Sequence, residues 1–290
     1  MPEPSPALSL RRRAYFALLY FSEGAPIGYI WWALPTRLRA AGMPIDEVTA
    51  LTALLALPWA LKFLWAPAVD ALRGPRWGFR AWITLAQILM GLTLLPLGLM
   101  PLPEVLVYAK LILLAHAVSA ATQDVAIDAL AVASVPKADR GSVNGWMQAG
   151  MLVGRGIFGG LALSLERKIG AGNVVLILIG CIWCSLLMLW LVPLPASVLA
   201  VTAPRDSAPK QFARALRSLF TRRATYVGFA IALTAGAGFE AVGGMVGPFL
   251  IDQGLSKGEV GEFLAFPVIA AMVLGALLGG QAADRVGHRA

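Results

Sequence analysis

A helix needs about 20 consecutive apolar residues to cross the ~30 Å hydrocarbon layer of a membrane, and this chain supplies such runs repeatedly. They cover 14–36, 48–69, 81–100, 104–131, 142–165, 173–194, 225–250 and 259–281. Apolar residues make up 58% of the chain and charged ones 14%, a balance that leaves a soluble globule without a polar exterior. No run shows the two-residue alternation of a membrane β-strand. The sequence therefore predicts an all-α membrane protein with eight crossing helices.

The formal net charge is +8. Its placement argues against nucleic acid. Start the chain in the cytosol, and Arg11, Arg12, Arg13, Arg73, Arg76, Arg80, Lys137, Arg140, the basic residues of 195–224, Arg285 and Arg289 all fall on the inner side. Only Arg37, Arg39, Arg167, Lys168 and Lys257 fall in outer loops, while Lys62, Lys110 and Arg155 lie within runs. That asymmetry is the positive-inside bias and puts both ends in the cytosol of an inner or plasma membrane protein. The first run follows three arginines as a signal peptide does. It is longer than a typical signal core and contains Glu23, so a retained helix is expected. Lys62, near the inner end of its run, is expected to snorkel to the surface. Cys181 and Cys184 form a C-x-x-C inside an apolar run, where two packed thiols are the plainer reading than a redox pair.

The polar stretch 195–224 is the long interruption and divides the chain into a six-helix bundle (1–194), a cytosolic linker and the start of a second bundle (225–290). In the linker Phe212, Leu216, Leu219 and Phe220 recur at helical spacing between Lys210, Arg214 and Arg217. That pattern suits either a basic amphipathic helix on the anionic leaflet or a solvated charged segment. The order of landmarks then repeats. Pro35, Gly42, Glu47-Val48, Asp70, Gly78 and Arg80 are matched by Pro248, Gly254, Glu259-Val260, Asp284, Gly287 and Arg289. Six-helix halves related by an axis along the membrane normal are one way transporters are built. The second copy has two helices where the first has six, so the chain is expected to be part of a protein of about twelve helices.

The last run ends Gly280, Asp284-Arg285, Gly287, His288, Arg289. This resembles the G-x-x-x-D-R-x-G-[RK]-[RK] signature of the major facilitator superfamily, with His288 at one basic position. A carboxylate at a helix end facing arginines across a tight turn makes a breakable cytosolic gate. The first copy is degenerate: Ala66 stands at the glycine position, Asp70 is kept, and Arg73 and Arg80 lie in a longer loop.

The fourth run carries Lys110, His116, Gln123, Asp124 and Asp128 within roughly 140° of helix circumference. Carboxylates at membrane depth cost a few kcal/mol each and face a cavity or a partner. In the fifth run Asn144, Gln148 and Arg155 share a narrow stripe, with Gly150, Gly154, Gly156 and Gly160 largely off it. Asp124 and Arg155 both fall about 18–20 Å from the cytosolic boundary, which predicts an Asp124–Arg155 pair. Asp128, without an obvious partner, is the candidate for reversible protonation, because desolvation disfavours a lone charge. Glu23 and Glu240 are single carboxylates in corresponding helices of the two copies. A static bridge between the fourth and fifth helices is the bland alternative. Five polar residues on one stripe exceed what such a bridge needs.

The segments KFLWAPAVD (Lys62 to Asp70), ATQDVAIDA (Ala121 to Ala129) and PKADRG (Pro136 to Gly141), followed by a glycine-rich helix, resemble the AmpG-type muropeptide permease family. That family is grouped with acetyl-coenzyme A transporters and some siderophore importers. The resemblance implies a major-facilitator fold and import driven by the proton gradient, and it points to Asp124 and Asp128.

The expected function is thus proton-coupled import of a bulky polar or anionic metabolite, muropeptide-like, with Arg155 binding an anionic group or holding Asp124 ionised. The expected partners are a small-molecule substrate, protons and lipid, with a monomer as the working unit and no cofactor or metal. A siderophore or acyl-CoA-type substrate, and a non-transporting receptor built on a transporter remnant, are the rivals. No H-E-x-x-H, Walker A or G-x-S-x-G pattern occurs, so no enzyme is expected. Gly236, Gly238 and Ala241 imitate a dinucleotide fingerprint but sit in an apolar run with no preceding strand.

Overall fold

The computed structural model describes residues 10–72, 77–193, 208–235 and 237–286. Among these there is no strand, and every apolar run becomes helix. Helix α1 covers 10–40, passing through a π-helical turn at Tyr29–Ala33. Helix α2 covers 45–71 and is broken by a 3-10 turn, Lys62–Leu64, just before Pro67. Then follow α3 (Phe79–Leu99), α4 (Leu102–Ser134), α5 (140–169, with a π turn at Gly156–Leu161) and α6 (Ala171–Leu191). The linker contributes α7 (Ala208–Thr221). Beyond it lie α8 (Arg223–Ala235), α9 (Ala237–Asp252) and α10 (257–286, with a π turn at Leu264–Val268).

Among the described residues, five helices are long and apolar enough to cross a membrane: Ile45–Leu64, Phe79–Leu99, Tyr108–Ser134, Ala171–Leu191 and Lys257–Ala282. The expected spans 14–36, 142–165 and 225–250 are helical too, but fall short of that measure. The first two carry Ser22, Glu23, Asn144, Gln148 and Arg155 among many glycines, which lowers their hydropathy. Such helices are stable at membrane depth only when they cover one another, and they do. The most extensive packing joins α1 to α5 and α5 to α10, while α3 packs on α4 and α6. Small residues allow the closest crossing. A Cβ on Gly24 would lie 2.0 Å from the Met151 carbonyl oxygen, and one on Gly150 would lie 2.0 Å from that of Ala17.

The repeated landmarks have a structural counterpart. Gly42 closes α1 at φ +89°, and Gly254 closes α9 at φ +90°. In the first turn Gly42 N–H donates to Arg39 O and Met43 N–H to Leu38 O. In the second, Gly254 N–H donates to Ile251 O and Leu255 N–H to Leu250 O. Both are Schellman caps, which require a left-handed residue. The following helices also begin alike in sequence, and at the second copy Ser256 and Glu259 form a capping box. Gly42→Ala and Gly254→Ala are each expected to cost about 1–2 kcal/mol, the penalty of a left-handed Cβ. Thermal unfolding in detergent checks this, and equal losses at the two sites are the expected mark of a shared turn.

The buried apolar side chains form two clusters, one on either side of a polar layer. One cluster holds Phe16, Leu19, Ile83, Ile127, Leu130 and Met147. The other holds Tyr29, Leu34, Met90, Leu94, Leu113, Phe158 and Leu178. Between them in the sequence order of each helix lie buried Ser22 and Glu23 of α1, Gln87 of α3, Gln123 and Asp124 of α4, Arg155 of α5 and Ser185 of α6.

Candidate functional site

The polar layer is built around a lysine. Lys62 Nζ donates to Asp124 Oδ2 and forms an ion pair with it. The expected Asp124–Arg155 pair is therefore not formed, and Lys62 does not snorkel. The reason is packing: α4 lies against α3 and α2, and the 3-10 turn that carries Lys62 aims it at α4 rather than along its own helix. Asp128 also has a partner. Tyr20 of α1 donates its hydroxyl to Asp128 Oδ1 and lies 3.5 Å from Asp124 Oδ1, so one phenol bridges the two carboxylates. Glu23, 2% exposed, faces Asp124, Lys62 and Asp128. Its Oε2 has no hydrogen-bond partner among the described residues. Three carboxylates thus converge on one ammonium.

Beside this cluster Ser22 ties three helices together. Gln87 Nε2 donates to Ser22 Oγ at 2.9 Å, Gln123 Nε2 donates to it at 3.2 Å, and Ser22 donates on to Leu19 O. His116 does not join the cluster. Its Nδ1 lies 3.2 Å from Thr93 Oγ1 and 3.1 Å from Met90 O, turned into the α3 interface. Lys110, nearer the far end of α4, is exposed.

Asp128 connects the cluster to a crevice, and a second space is lined by residues outside the cluster. A crevice of about 180 Å³ is lined by Asp128, Arg140, Asn144 and Met147. It lies at the basic end of the bundle, where Arg140 donates to Val132 O and Arg13 pairs with Asp139 at 3.6 Å. The larger cavity, about 650 Å³, is lined by Trp31, Thr49, Thr52, Trp59, Arg155 and Met245 among others, and so lies between α1, α2, α5 and α9. Trp31 and Trp59 meet edge to face with centroids 4.9 Å apart. Arg155 sits on this wall, buried, at the residue where α5 enters its π turn. Such turns recur at functional sites. Gln148 is half-buried one turn from Asn144.

The described residues expected to form a cytosolic gate lie at the ends of α2, α3 and α10. Asp70 lies exposed at the end of α2, where α7 packs. Arg80 is engaged elsewhere: it donates to Val192 O and lies over the Trp190 ring at 5.5 Å, fastening α3 to the end of α6. Gly280 approaches Gly141 and Gly145 of α5 so closely that a Cβ would lie 2.6 Å from Gly141 O. Arg285 is exposed at the end of α10. Arg73, Gly287 and Arg289 lie outside the described residues, as do the side chains of Asp284 and Glu240.

Sequence reasoning missed Lys62, Tyr20, Gln87 and the Trp31–Trp59 pair as members of the site. The signal for Lys62 was present, since an ammonium inside an apolar run calls for a carboxylate at similar depth. Lys62→Met is expected to destabilise the fold by roughly 2 kcal/mol, below the ~3–5 of a fully buried pair because the lysine side chain is 33% exposed. Adding Asp124→Asn should restore much of that loss, a non-additivity read by a double-mutant cycle of unfolding midpoints.

The chain is similar in sequence to known membrane proteins. The profile of the Major Facilitator Superfamily matches residues 16–290. The "Anhydromuropeptide permease" of Escherichia coli (strain K12) is 27% identical over 287 residues, covering 95% of this chain and 56% of the relative. The "Putative transporter AmpG 4" of Rickettsia conorii is 25% identical, covering 93% of this chain and 67% of the relative. The chain thus spans little more than half the length of the Escherichia coli relative.

Proposed function

The chain belongs to the Major Facilitator Superfamily, a multi-pass membrane protein of a transporter family, and from that premise we propose that it serves a proton-coupled importer of a bulky anionic metabolite. The observation that carries the reading is the convergence of Glu23, Asp124 and Asp128 on Lys62. With all four groups ionised the cluster of one ammonium and three carboxylates carries a net charge of −2, and buried excess charge is costly. Taking up a proton relieves that excess. Asp128 is the exit residue, because it alone of the three lines the crevice at the basic end. Tyr20 joins it to Asp124 and offers a path between the carboxylates.

The 650 Å³ cavity is the substrate side of the same device. Arg155 offers a fixed cation to an anionic group, and Trp31 and Trp59 offer apolar edges to a ring. A sugar bearing a carboxylate or peptide fits that combination, and the muropeptide named for the Escherichia coli relative is of that kind. The basic end faces the cytosol of the inner or plasma membrane, by the positive-inside bias, with both chain ends on that side. The working unit is a monomer, and nucleic acid plays no part.

The test is uptake into proteoliposomes by the full reading frame, with and without an inward proton gradient. Labelled anhydromuropeptide and a ferric siderophore are compared. Gradient-driven uptake of the muropeptide is the expected result. Siderophore uptake in its place would overturn the substrate, and uptake of either ligand indifferent to the gradient would overturn the coupling.

A further inference from the structure

The mid-depth layer leaves buried acceptors without partners among the described residues, whereas the basic end of the bundle leaves buried donors. Tyr15 of α1 is 3% exposed and its ring packs edge to face on Phe16. Its hydroxyl makes no hydrogen bond among the described residues, although it faces the Arg80 guanidinium of α3. One Arg80 amino group donates to Val192 O just past α6, and the guanidinium lies over the Trp190 ring. The Arg80 Nε–H is nevertheless buried with no acceptor among the described residues. The two helices run in register here. Gln87 of α3 meets Ser22 of α1, and Arg80 and Tyr15 each stand seven residues, about two turns, nearer the cytosol.

The surroundings are positive. Arg11 and Arg12 precede Tyr15 by one turn on α1. Gly78 begins α3 without a side-chain cap, and neither α1 nor α3 has an acidic residue in its first turn. The positive end of the α3 dipole therefore adds to the field of Arg80. Buried donors of this kind call for a ligand that accepts.

We propose that Tyr15 and Arg80 form a headgroup site for an anionic phospholipid of the inner leaflet, with a phosphate oxygen accepting from both the phenol and the guanidinium. A phosphate takes strong charge-assisted bonds from arginine, and basic pockets between helices on the cytoplasmic side suit anionic headgroups. The leaflet follows from the positive-inside orientation. The neighbouring surface favours a lipid over a soluble anion. Trp190 is exposed beside the site while its Nε1 donates to Thr84 Oγ1 at 3.2 Å, a pose that suits an indole at the membrane boundary. One turn deeper, Ile88 of α3 and Leu187 of α6 are exposed and offer an apolar track to an acyl chain. The second repeat packs chiefly on α1 and α5, so the α3–α6 flank is left to lipid. A bound headgroup satisfies both donors and joins α1 to the α3–α6 pair.

Native mass spectrometry of the full-length protein in detergent tests the site. The protein is titrated with phosphatidylglycerol, with phosphatidylcholine of the same acyl chains, and with soluble glycerol phosphate. The first phosphatidylglycerol is expected to bind about tenfold more tightly than the first phosphatidylcholine, whose choline cation is opposed by Arg11, Arg12 and Arg80. Tyr15→Phe keeps the buried ring and should weaken that binding about tenfold, the worth of one hydrogen bond to a charged group. Arg80→Gln should weaken it further, and if that variant fails to fold, Tyr15→Phe alone decides. Lys137→Gln removes an exposed cation from another cytosolic loop and should leave the first affinity unchanged. Equal affinity for the two lipids, or equal effects of Tyr15→Phe and Lys137→Gln, would overturn the site. Glycerol phosphate binding as tightly as phosphatidylglycerol would overturn the lipid and make the ligand a soluble anion.

Discussion

Asp128→Asn is expected to abolish gradient-driven accumulation while leaving exchange of substrate across the membrane intact. The size of the effect follows from the driving force. One pH unit is worth about 1.36 kcal/mol for each proton, roughly tenfold in concentration, and 100 mV adds about 2.3 kcal/mol for each charge moved. A carrier that moves one proton with a singly anionic substrate moves no net charge and uses the first term alone, while each further proton adds the second. A variant that cannot release the proton reaches only equal concentrations on the two sides. Asn keeps the shape of Asp and can still accept from Tyr20, so the bridge of Tyr20 to Asp128 and Asp124 is preserved in outline. The measurement is the steady accumulation ratio in proteoliposomes under an imposed gradient, set beside counterflow of labelled substrate at zero gradient. Loss of both would mean that the variant fails to cycle at all. Retention of accumulation, with loss in Glu23→Gln or Asp124→Asn, would move the exit of the proton to another member of the same layer.

Gly150→Val is expected to prevent assembly altogether. A Cβ at that position would lie 2.0 Å from Ala17 O and 2.7 Å from its carbonyl carbon. The obstacle is backbone of α1, which no rotamer change removes. Overpacking within a core costs about 1–3 kcal/mol when side chains can yield, and more when they cannot. Gly150→Ala already places the offending atom, so even the smallest side chain should separate α1 from α5. Gly180 is the control. It lies in α6 with nothing within 4 Å of its would-be Cβ, and Gly180→Ala should be neutral or stabilise by up to about 1 kcal/mol through helix propensity. Fluorescence size-exclusion of the tagged protein distinguishes the two: a monodisperse peak for Gly180→Ala, aggregate or no protein for Gly150→Val.

The helices could be located from sequence because a 20-residue apolar run has few other solutions, and the repeat because Gly42 and Gly254 must take a conformation few other residues tolerate. The partners within the polar layer were not legible. Placing Asp124 opposite Arg155 rested on their equal depth, which does not say which helices are neighbours. In the fold α5 spends its surface on α1 and α10, and α4 on α3 and α2. Lys62 was expected to snorkel from its place near the inner end of an apolar run, but it sits in a 3-10 turn from which it reaches Asp124. His116 shared a face with Asp124 on paper. Eight residues, just over two turns of helix, were enough to give it to Thr93 and Met90 instead. Arg80 was placed by charge alone, and the open ends of α6 claimed it.

The α1–α5 crossing also bears on how the protein is made. Synthesis delivers α1 to the membrane first, with Ser22 and Glu23 turned toward the places of α2, α3 and α4 and Gly24 on the face that presses against Met151 of α5. The helix that covers that face is more than a hundred residues away along the chain and emerges only after α2, α3 and α4. Until then a carboxylate at mid-depth has Lys62 of α2 as the earliest charge able to meet it. Insertion is therefore expected to proceed by pairing, with α1 and α2 leaving the insertion channel together.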